Sequence, residues 1–257
     1  MPLLIGTSGW QYRHWRGGLY PAGLPQGRWL EHYATRFQAL EANNPFYRLP
    51  ERETFAEWAA RTPDDFVVAL KMSRYLTHVR RLRSPEEPVG RFMERVEALG
   101  AKLGPVLLQL PPNLPVDLAA LGATLSCFPP SVRVAVEVRH GSWAVPELAS
   151  LLAERRAALC LADQGGPSSP LWRTTDWGYV RLHAGRASPF PCYGRRALGT
   201  WAERLAARWS ADEEVFCFLN NDGRGCAVRD ARWLALAAQR TGLRPTRVPD
   251  ADEAPVR

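Results

Sequence analysis

Ionisable side chains recur near the carboxyl ends of short apolar segments in this 257-residue chain. In Val132–His140, valines occupy every second position, whereas Ala135, Glu137 and Arg139 occupy the alternate positions. This period of two is that of a β-strand, whose side chains point to opposite faces in turn. The end of such a strand could present a carboxylate and a guanidinium to a ligand, the groups used in acid–base catalysis and anion binding.

Seven of the eight apolar segments end in polar or ionisable groups. These groups are Glu41, Asn43, Lys71, Gln109, Glu137, Arg139, Asp163, Arg181, His183, Asn220, Asn221 and Asp222. Charged side chains are rarely buried unless they are paired, so their gathering requires an explanation. Glu137–Arg139 and Glu41–Arg181 could be structural ion pairs, but the recurrence over seven segments favours a functional pocket.

Four residues are predicted to transfer protons. Glu137 is a candidate general base with Asp163, and His183 is a candidate proton shuttle near neutral pH. Lys71 could hold an anionic substrate or, if burial lowers its pKa, act as a base or Schiff-base amine. It is one of only two lysines, so the composition of the chain does not account for it.

Aromatic residues form a second feature of the predicted site. The segment Trp10–Pro21 interleaves aromatic residues with arginines and glycines, which suits stacking on a base or sugar ring beside a phosphate. The alternative is a hydrophobic lid that binds no ligand. The predicted substrate-binding residues are Trp10, Glu41, Asn43, Tyr47, Gln109, Arg139, His140, Trp143, Arg181, Tyr193, Asn220 and Asp222.

No cofactor is predicted, although a divalent zinc or manganese ion is an alternative. Its mixed ligand set would be Glu41, Glu137, His140, Asp163 and His183. Against this alternative, the chain has no His-x-His or His-Glu-x-x-His pair, and basic residues lie between the carboxylates. The strand period also points His140 away from Glu137, so no metal ligand is assigned.

The elements that must position these groups follow from the hydrophobic periodicity. Strands are predicted at Leu3–Gly9, Ala39–Phe46, Phe66–Met72, Pro105–Pro111, Val132–His140, Ala157–Asp163, Gly178–Ala184 and Glu214–Asn221. Helices are predicted at Arg28–Gln38, Glu51–Arg61, Glu86–Gly100, Val116–Cys127, Val145–Arg155, Leu198–Ser210 and Val228–Gln239. The sixth connection, Gln164–Trp177, is rich in Gly, Pro and Ser and predicts a loop.

Eight strands with crossovers predict a single-domain (β/α)8 TIM-type barrel, whose active sites lie at the carboxyl ends of the strands. The rival is an open doubly wound sheet, but Gly6–Trp10 does not match the glycine-rich turn of that fold. We expect one domain over residues 1–242 and a loose C-terminal tail over 243–257, where prolines mix with charges.

Composition limits the class of protein. The 33 basic and 26 acidic residues give a charge of +7 that is almost all arginine, which indicates either GC-rich codons or affinity for anions. The five cysteines are odd in number and lack C-x-x-C spacing, so we predict free thiols rather than disulfides or a zinc ribbon. No apolar run approaches the ~20 residues of a membrane span. The start of the chain lacks a signal-peptide pattern, so we expect a cytoplasmic protein.

Several motifs resemble those of one family. They are Ile5–Trp10, Phe46–Pro50, Lys102–Pro105, Gln109–Pro112, Glu137–His140 with Ser142-Trp143, Tyr179–His183 and Asn220–Asp222. Together they resemble the YecE-like family, domain-of-unknown-function family seventy-two, from Ile5 to about Ala231. The resemblance implies a (β/α)8 barrel and no established reaction. The barrel is similar to the xylose-isomerase and endonuclease-IV class, which implies phosphodiester or sugar chemistry by analogy of fold.

Departures from the family pattern occur at Pro45, Ala184 and Cys226, so substrate details do not transfer.

Three functions follow from the sequence. The first is an enzyme of the hydrolase, lyase or isomerase type whose pocket binds a phosphorylated or nucleotide-like anion. The second is a nucleic-acid-binding protein without turnover, which would use the Trp10–Tyr20 loop. The third is a metal-dependent phosphodiesterase.

Overall fold

Eight parallel strands close into a ring in the computed structural model, which describes residues 1–164, 170–250 and 253. The strands are β1 (Pro2–Ser8), β2 (Ala39–Ala42), β3 (Val67–Lys71), β4 (Leu103–Gln109), β5 (Val134–Glu137), β6 (Ala158–Asp163), β7 (Gly178–Leu182) and β8 (Val215–Leu219). Each strand pairs with the next in sequence, and β1 pairs with both β2 and β8. The predicted single-domain (β/α)8 barrel is confirmed.

Helices occupy the connections on the outside of the ring. They are α1 (Trp29–Arg36), α2 (Asn44–Tyr47), α3 (Arg52–Ala60), α4 (Glu86–Val96), α5 (Leu118–Ser126), α6 (Pro146–Glu154), α7 (Arg195–Ala206) and α8 (Cys226–Arg240). The connection from β6 to β7 has no helix in its described residues, as predicted, and residues 165–169 of that loop lie outside the described residues.

The short helix α2 replaces the end of the predicted second strand. That strand stops at Ala42 instead of Phe46, because Pro45 stands in the first turn of α2. Proline has its φ fixed near the helical value and lacks an N–H, so it suits a helix start and not a strand in a ring. The result is that Phe46 and Tyr47 lie on a helical turn at the carboxyl end of the barrel.

Side chains alternate along each strand between two hydrophobic cores, one between the strands and the helices and one inside the ring. Val134 and Val136 pack in the layer between strands and helices, whereas Ala135 lies inside the ring, as the alternation predicts. The ring interior is filled by Leu4, Ala39, Ala69, Leu107, Ala135, Ala158, Cys160, Ala162, Trp177, Tyr179, Phe216 and Phe218. The small alanines leave room for the large aromatic residues and, one layer higher, for charged side chains.

The aromatic loop after β1 packs onto the barrel. Trp15 and Tyr20 are fully buried, and the rings of Trp15 and Tyr33 are stacked at 6.4 Å. Tyr20 stacks on Trp29 at 4.7 Å. These contacts agree with the lid alternative for this part of the loop, because the rings of Trp15 and Tyr20 are already covered by protein.

The residues after 242 are packed against the barrel, in contrast to the predicted loose tail. A ninth strand, β9 (Arg244–Pro245), pairs with the first residues of β1. The first residues of β1 can pair with β9 because β2 pairs only with Gly6–Ser8 of β1. Thr246 N donates to the Leu3 carbonyl at 2.9 Å. Residues 251–252 and 254–257 of the predicted tail lie outside the described residues.

A disulfide joins Cys192 to Cys226, so the prediction of five free thiols is wrong for these two residues. Their separation of 34 residues matches no local spacing motif. The ring brings the loop after β7 beside the start of α8, which only the tertiary structure shows. Cys127, Cys160 and Cys217 are free thiols. No helix in the described part of the chain is long and apolar enough to cross a membrane.

Candidate functional site

A cavity of about 940 Å³ opens at the carboxyl ends of the strands. We call it the rim cavity. Its lining comes from strand ends and from the loops after β1, β2 and β3, where barrel enzymes carry their chemistry. The lining residues are Ser8, Gly9, Trp10, Gln11, Tyr12, Asn43, Asn44, Phe46, Tyr47, Arg48, Pro50, Lys71, His78, Gln109, Arg139, Arg181 and Asn220.

Arg181 forms the charged floor of the rim cavity. Its Nη2 lies 2.8 Å from Glu41 Oε1 and its Nη1 lies 2.6 Å from Glu137 Oε2. All three side chains are nearly or completely buried. Burial opposes the charge on Arg181, but the two carboxylates outweigh it and raise the guanidinium pKa well above its usual value. Arg181 therefore stays cationic at any pH at which the protein is folded.

Glu137 is held by two arginines and is not placed to act as the predicted general base. Arg139 Nε and Nη2 both lie 2.8 Å from Glu137 Oε1, while Arg181 occupies the other oxygen. Gln164 Nε2 also donates to Oε1, at 3.2 Å. Burial opposes ionisation, yet the charge of Arg181 dominates and holds the Glu137 pKa well below its usual value. Such a carboxylate is a weak proton acceptor and serves to orient the arginines.

Glu41 has the same supporting role on the opposite side of Arg181. Tyr179 donates a hydrogen bond of 2.7 Å to Glu41 Oε2. Burial opposes the negative charge, but Arg181 and the nearby hydroxyls of Ser8 and Tyr179 keep the pKa of Glu41 below its usual value. Both ion pairs considered from the sequence, Glu41–Arg181 and Glu137–Arg139, are thus present. They form the base of the cavity.

Lys71 is a buried cation of the cavity wall without a close carboxylate partner among the described residues. Its Nζ lies 3.7 Å above the centroid of the Phe46 ring, and within the described ranges no carboxylate is within 4.0 Å of it. Burial lowers the pKa of Lys71 to about 8, and the positive charge of Arg181 adds to this effect. The amine is therefore mostly protonated at neutral pH and releases its proton easily.

His78 is a lining residue that the sequence did not single out. It lies in a single π-helical turn after β3, and its ring contacts Phe46 at 5.1 Å. Burial lowers its pKa, and the charge of Lys71 lowers it further. No periodic pattern marks His78, because a single turn is too short to show one. The same is true of Asn44, in the single turn of α2, and Gln11 lies in the loop after β1.

The structure divides the predicted site residues into three groups. Those that line the cavity are Trp10, Asn43, Tyr47, Lys71, Gln109, Arg139, Arg181 and Asn220. Glu41, Glu137 and His183 lie beneath this lining. His183 Nε2 is 3.6 Å from Glu137 Oε1, and Asn220 Nδ2 donates to His183 Nδ1 at 2.9 Å. The remaining five predicted residues lie outside the cavity lining.

Trp143 and His140 have structural partners in the turn after β5. Trp143 is fully buried and its indole donates to the Leu114 carbonyl at 2.8 Å, so it has no surface for a ligand. His140 Nδ1 lies 2.8 Å from Ser142 Oγ and accepts from the Ser142 backbone N–H. The predicted substrate-binding role of these two residues is corrected, because their contacts with Ser142 and Leu114 hold them in the turn beyond the strand and outside the cavity lining.

Asp222 joins two loops instead of lining the cavity. Its Oδ2 lies 2.7 Å from His14 Nε2 and accepts from the Trp15 indole at 2.9 Å. Burial raises the pKa of Asp222, and the nearby His14 opposes this effect. The carboxylate therefore ties the loop after β1 to the loop after β8, and the prediction of substrate binding by Asp222 is corrected accordingly.

Asp163 and Tyr193 lie on the outer side of the β6–β7 region. The Trp201 indole of α7 is 3.3 Å from Asp163 Oδ2. The Tyr193 hydroxyl accepts from the Ala184 backbone N–H at 3.2 Å, and burial raises its pKa. Tyr193 is next to the disulfide at Cys192, which fixes this loop. Neither residue lines the rim cavity, so the predicted proton transfer by Asp163 has no support in this geometry.

No metal site is formed by the residues that the structure describes. Among them, no group of three or more His, Cys, Asp or Glu side chains converges on one point. The carboxylates of the mixed set considered from the sequence, Glu41 and Glu137, point to Arg181. Both carboxylates are thus already paired with a guanidinium group.

A model of the family described as "Protein of unknown function DUF72" matches residues 4–253. The chain belongs to the DUF72 family. The UPF0759 protein YecE of Escherichia coli K12 is 33% identical over 139 residues, which are 54% of this chain and 48% of that protein. The chain thus spans about half the length of the curated relatives it matches.

Solved structures of DUF72 proteins share the fold along nearly the whole chain. A DUF72 family protein from Thermotoga maritima matches with a TM-score of 0.81 and 25% identity, over 93% of this chain and 100% of that one. A DUF72 family protein from Enterococcus faecalis matches with a TM-score of 0.76 and 19% identity, over 92% and 95% of the two chains. The DUF72 family has no established reaction.

Proposed function

We propose that this DUF72 protein is an enzyme that binds a small phosphate-bearing substrate in the rim cavity, with Lys71 as the group that exchanges a proton with it. One observation carries the proposal. Arg139, Arg181 and Lys71 all line the cavity, whereas the carboxylates of Glu41 and Glu137 are buried beneath it. The cavity wall therefore carries an excess of positive charge that an anion would neutralise.

The free donors favour phosphate over carboxylate. Arg181 gives Nη1 and Nη2 to the two glutamates, and Arg139 gives Nε and Nη2 to Glu137. A planar carboxylate is bound best by a guanidinium fork, and the one fork that these two arginines leave to a ligand is the Nη1–Nη2 end of Arg139. Separate donors such as Arg139 Nη1, the Lys71 ammonium and the Gln109 amide suit the several oxygens of a tetrahedral phosphate.

Lys71 is the best-placed group for acid–base chemistry. Its pKa of about 8 lies close to neutral pH, where proton transfer by a side chain is most effective. The pKa of Glu137 is held too low for this role, and Asp163 does not line the cavity. A proton given to the substrate would come from the Lys71 ammonium, and the neutral amine would take it back in the reverse step.

Anion binding is tested by calorimetry with inorganic phosphate and with sulfate. We expect Arg139→Gln and Lys71→Met each to weaken phosphate binding about 10-fold or more, because a charge-assisted hydrogen bond contributes roughly 1.5–3 kcal/mol. Arg74→Gln is the matched control, since Arg74 is exposed and outside the cavity lining. Equal affinities for all three variants would exclude the rim cavity as the anion site.

Proton transfer by Lys71 is tested by the pH dependence of the same variants. Sulfate does not titrate between pH 6 and pH 10, so its affinity for the wild-type protein should fall as pH rises through about 8, when Lys71 loses its charge. Lys71→Met should remove this dependence. With any phosphate ester that is turned over, Lys71→Met should lower kcat by about 10²–10⁴-fold. An unchanged kcat would reject the acid–base role.

A further inference from the structure

Tyr47 is the most exposed large hydrophobic side chain in the described part of the protein. It is 73% exposed, although it lines the rim cavity together with buried residues such as Phe46 and Lys71. Burial of one aromatic face by a ligand is favourable, and an exposed aromatic ring at a cavity mouth is a typical ligand contact. The ring of Tyr47 is thus available to a molecule that enters the cavity.

The position of Tyr47 is fixed relative to the charged floor by α2. Phe46 turns inward and lies below Lys71, with 3.7 Å between its ring centroid and Lys71 Nζ. Tyr47 turns outward, and its ring centroid is 5.0 Å from that of Phe46. These two distances place the Tyr47 ring within about 9 Å of the Lys71 ammonium. Pro45 in the first turn stiffens α2, so the spacing does not depend on a flexible loop.

Polar side chains line the same cavity as Tyr47. Gln11, Asn44 and Arg48 also line the cavity, and Asn44 Nδ2 lies 3.4 Å from Gln11 Oε1. Amide groups both donate and accept hydrogen bonds, as the edges of nucleobases require, whereas the face of a base requires an aromatic or guanidinium plane. An exposed aromatic ring within about 9 Å of a cation, in a cavity that also carries amide side chains, matches the layout of a nucleotide.

We propose that the substrate is a nucleoside 5′-phosphate whose base stacks on Tyr47 while its phosphate is held by Lys71 and Arg139. This inference rests on the proposed phosphate site. It specifies a mononucleotide, because Tyr47 is the one exposed aromatic residue among the described lining residues, and a polynucleotide chain is usually bound on a series of such rings.

The test compares AMP, UMP, ribose 5-phosphate and inorganic phosphate by calorimetry. Stacking of a base on an aromatic side chain contributes about 1–3 kcal/mol, which corresponds to roughly 5- to 150-fold in affinity. The wild-type protein should therefore bind AMP and UMP at least fivefold more tightly than ribose 5-phosphate. In Tyr47→Ala this advantage should be lost, while the affinity for ribose 5-phosphate and inorganic phosphate stays the same. Tyr47→Phe should retain it.

Tyr75→Ala is the matched control. Tyr75 is also an exposed tyrosine, but it does not line the cavity and instead contacts Arg80. Equal affinity of the wild-type protein for AMP and ribose 5-phosphate would overturn the nucleotide inference and leave the phosphate site standing. Failure of inorganic phosphate and of every phosphate ester to bind would instead overturn the proposed function. A trinucleotide that binds more than tenfold tighter than AMP would show that a chain, not a mononucleotide, is the ligand.

Discussion

Lys71 illustrates how a residue gains its function from its neighbours. The sequence marks it because it is one of two lysines and ends a strand, but its properties come from residues distant in the chain. Burial lowers its pKa, the charge of Arg181 lowers it further, and Phe46 contacts its ammonium group. A lysine that is charged in a buried site carries a cost in stability, which is typical of a group retained for its chemistry.

This cost leads to a prediction about stability. The pKa of Lys71 is about 8 in the folded protein and 10.5 when unperturbed, so between these values the unfolded state binds more protons and stability rises with pH. Below pH 8 Lys71 is protonated in both the folded and the unfolded state, so the full destabilisation caused by burying its charge is present. We therefore expect Lys71→Met to increase the free energy of unfolding by about 2 kcal/mol at pH 7, and by much less near pH 10.5.

Chemical denaturation at both pH values measures this effect. Lys102→Met is the matched control, because the Lys102 ammonium donates to the carbonyls of Ala59 and Thr62 at 2.5 and 2.6 Å. Its loss should lower stability. A decrease in stability for Lys71→Met at pH 7 would show that Lys71 contributes to the fold instead of opposing it.

At the scale of elements, strands were more predictable than the loops that complete the site. The period of two in β5 correctly separated Ala135, inside the ring, from Val134 and Val136, outside it. The alternation also identified Lys71 and Arg181 as cavity residues. Trp143, which follows the same strand, was misplaced because the chain turns after Glu137, and a turn has no periodic signal.

The loop after β7 and helix α8 depend on the disulfide between Cys192 and Cys226. A cross-link that closes 34 residues restricts the unfolded chain and is expected to stabilise the protein by about 4 kcal/mol. Replacing both cysteines by serine should lower the free energy of unfolding by about this amount. Urea denaturation with and without a reductant measures it.

Cys127→Ser is the control for the disulfide, because Cys127 is a free, partly exposed thiol. Its substitution should change stability by less than about 0.5 kcal/mol. The reductant should destabilise the wild-type protein but have no effect on the double serine variant. Identical unfolding of the wild-type protein with and without reductant would contradict the stabilising role.

At the scale of the whole molecule, the barrel ring is extended by the end of the chain. Arg244 N donates to the Met1 carbonyl at 2.8 Å, and Arg247 pairs with Asp65 and with the Ala34 carbonyl. Deletion of residues 244–257 removes these contacts. We expect it to lower the free energy of unfolding by about 3 kcal/mol, since each hydrogen bond contributes roughly 1 kcal/mol.

Deletion of residues 251–257 alone is the matched comparison. It removes the partly exposed pair between Glu253 and Arg36, and ion pairs near the surface contribute about 0–1 kcal/mol. Thermal and urea unfolding of the two truncated proteins distinguishes a packed segment from a loose one. If the longer deletion leaves stability unchanged, the tail has no structural role, as the sequence alone predicted.

The sequence by itself determined the barrel and the set of strand-end groups, because hydrophobic alternation is a local property of each strand. Only the tertiary structure decided which of these groups pair. Arg181 and Glu41 are 140 residues apart, and their ion pair exists because the ring closes. The same closure placed Cys192 beside Cys226 and covered Trp15. Partners in space depend on how elements are arranged, and no spacing along the chain encodes that arrangement.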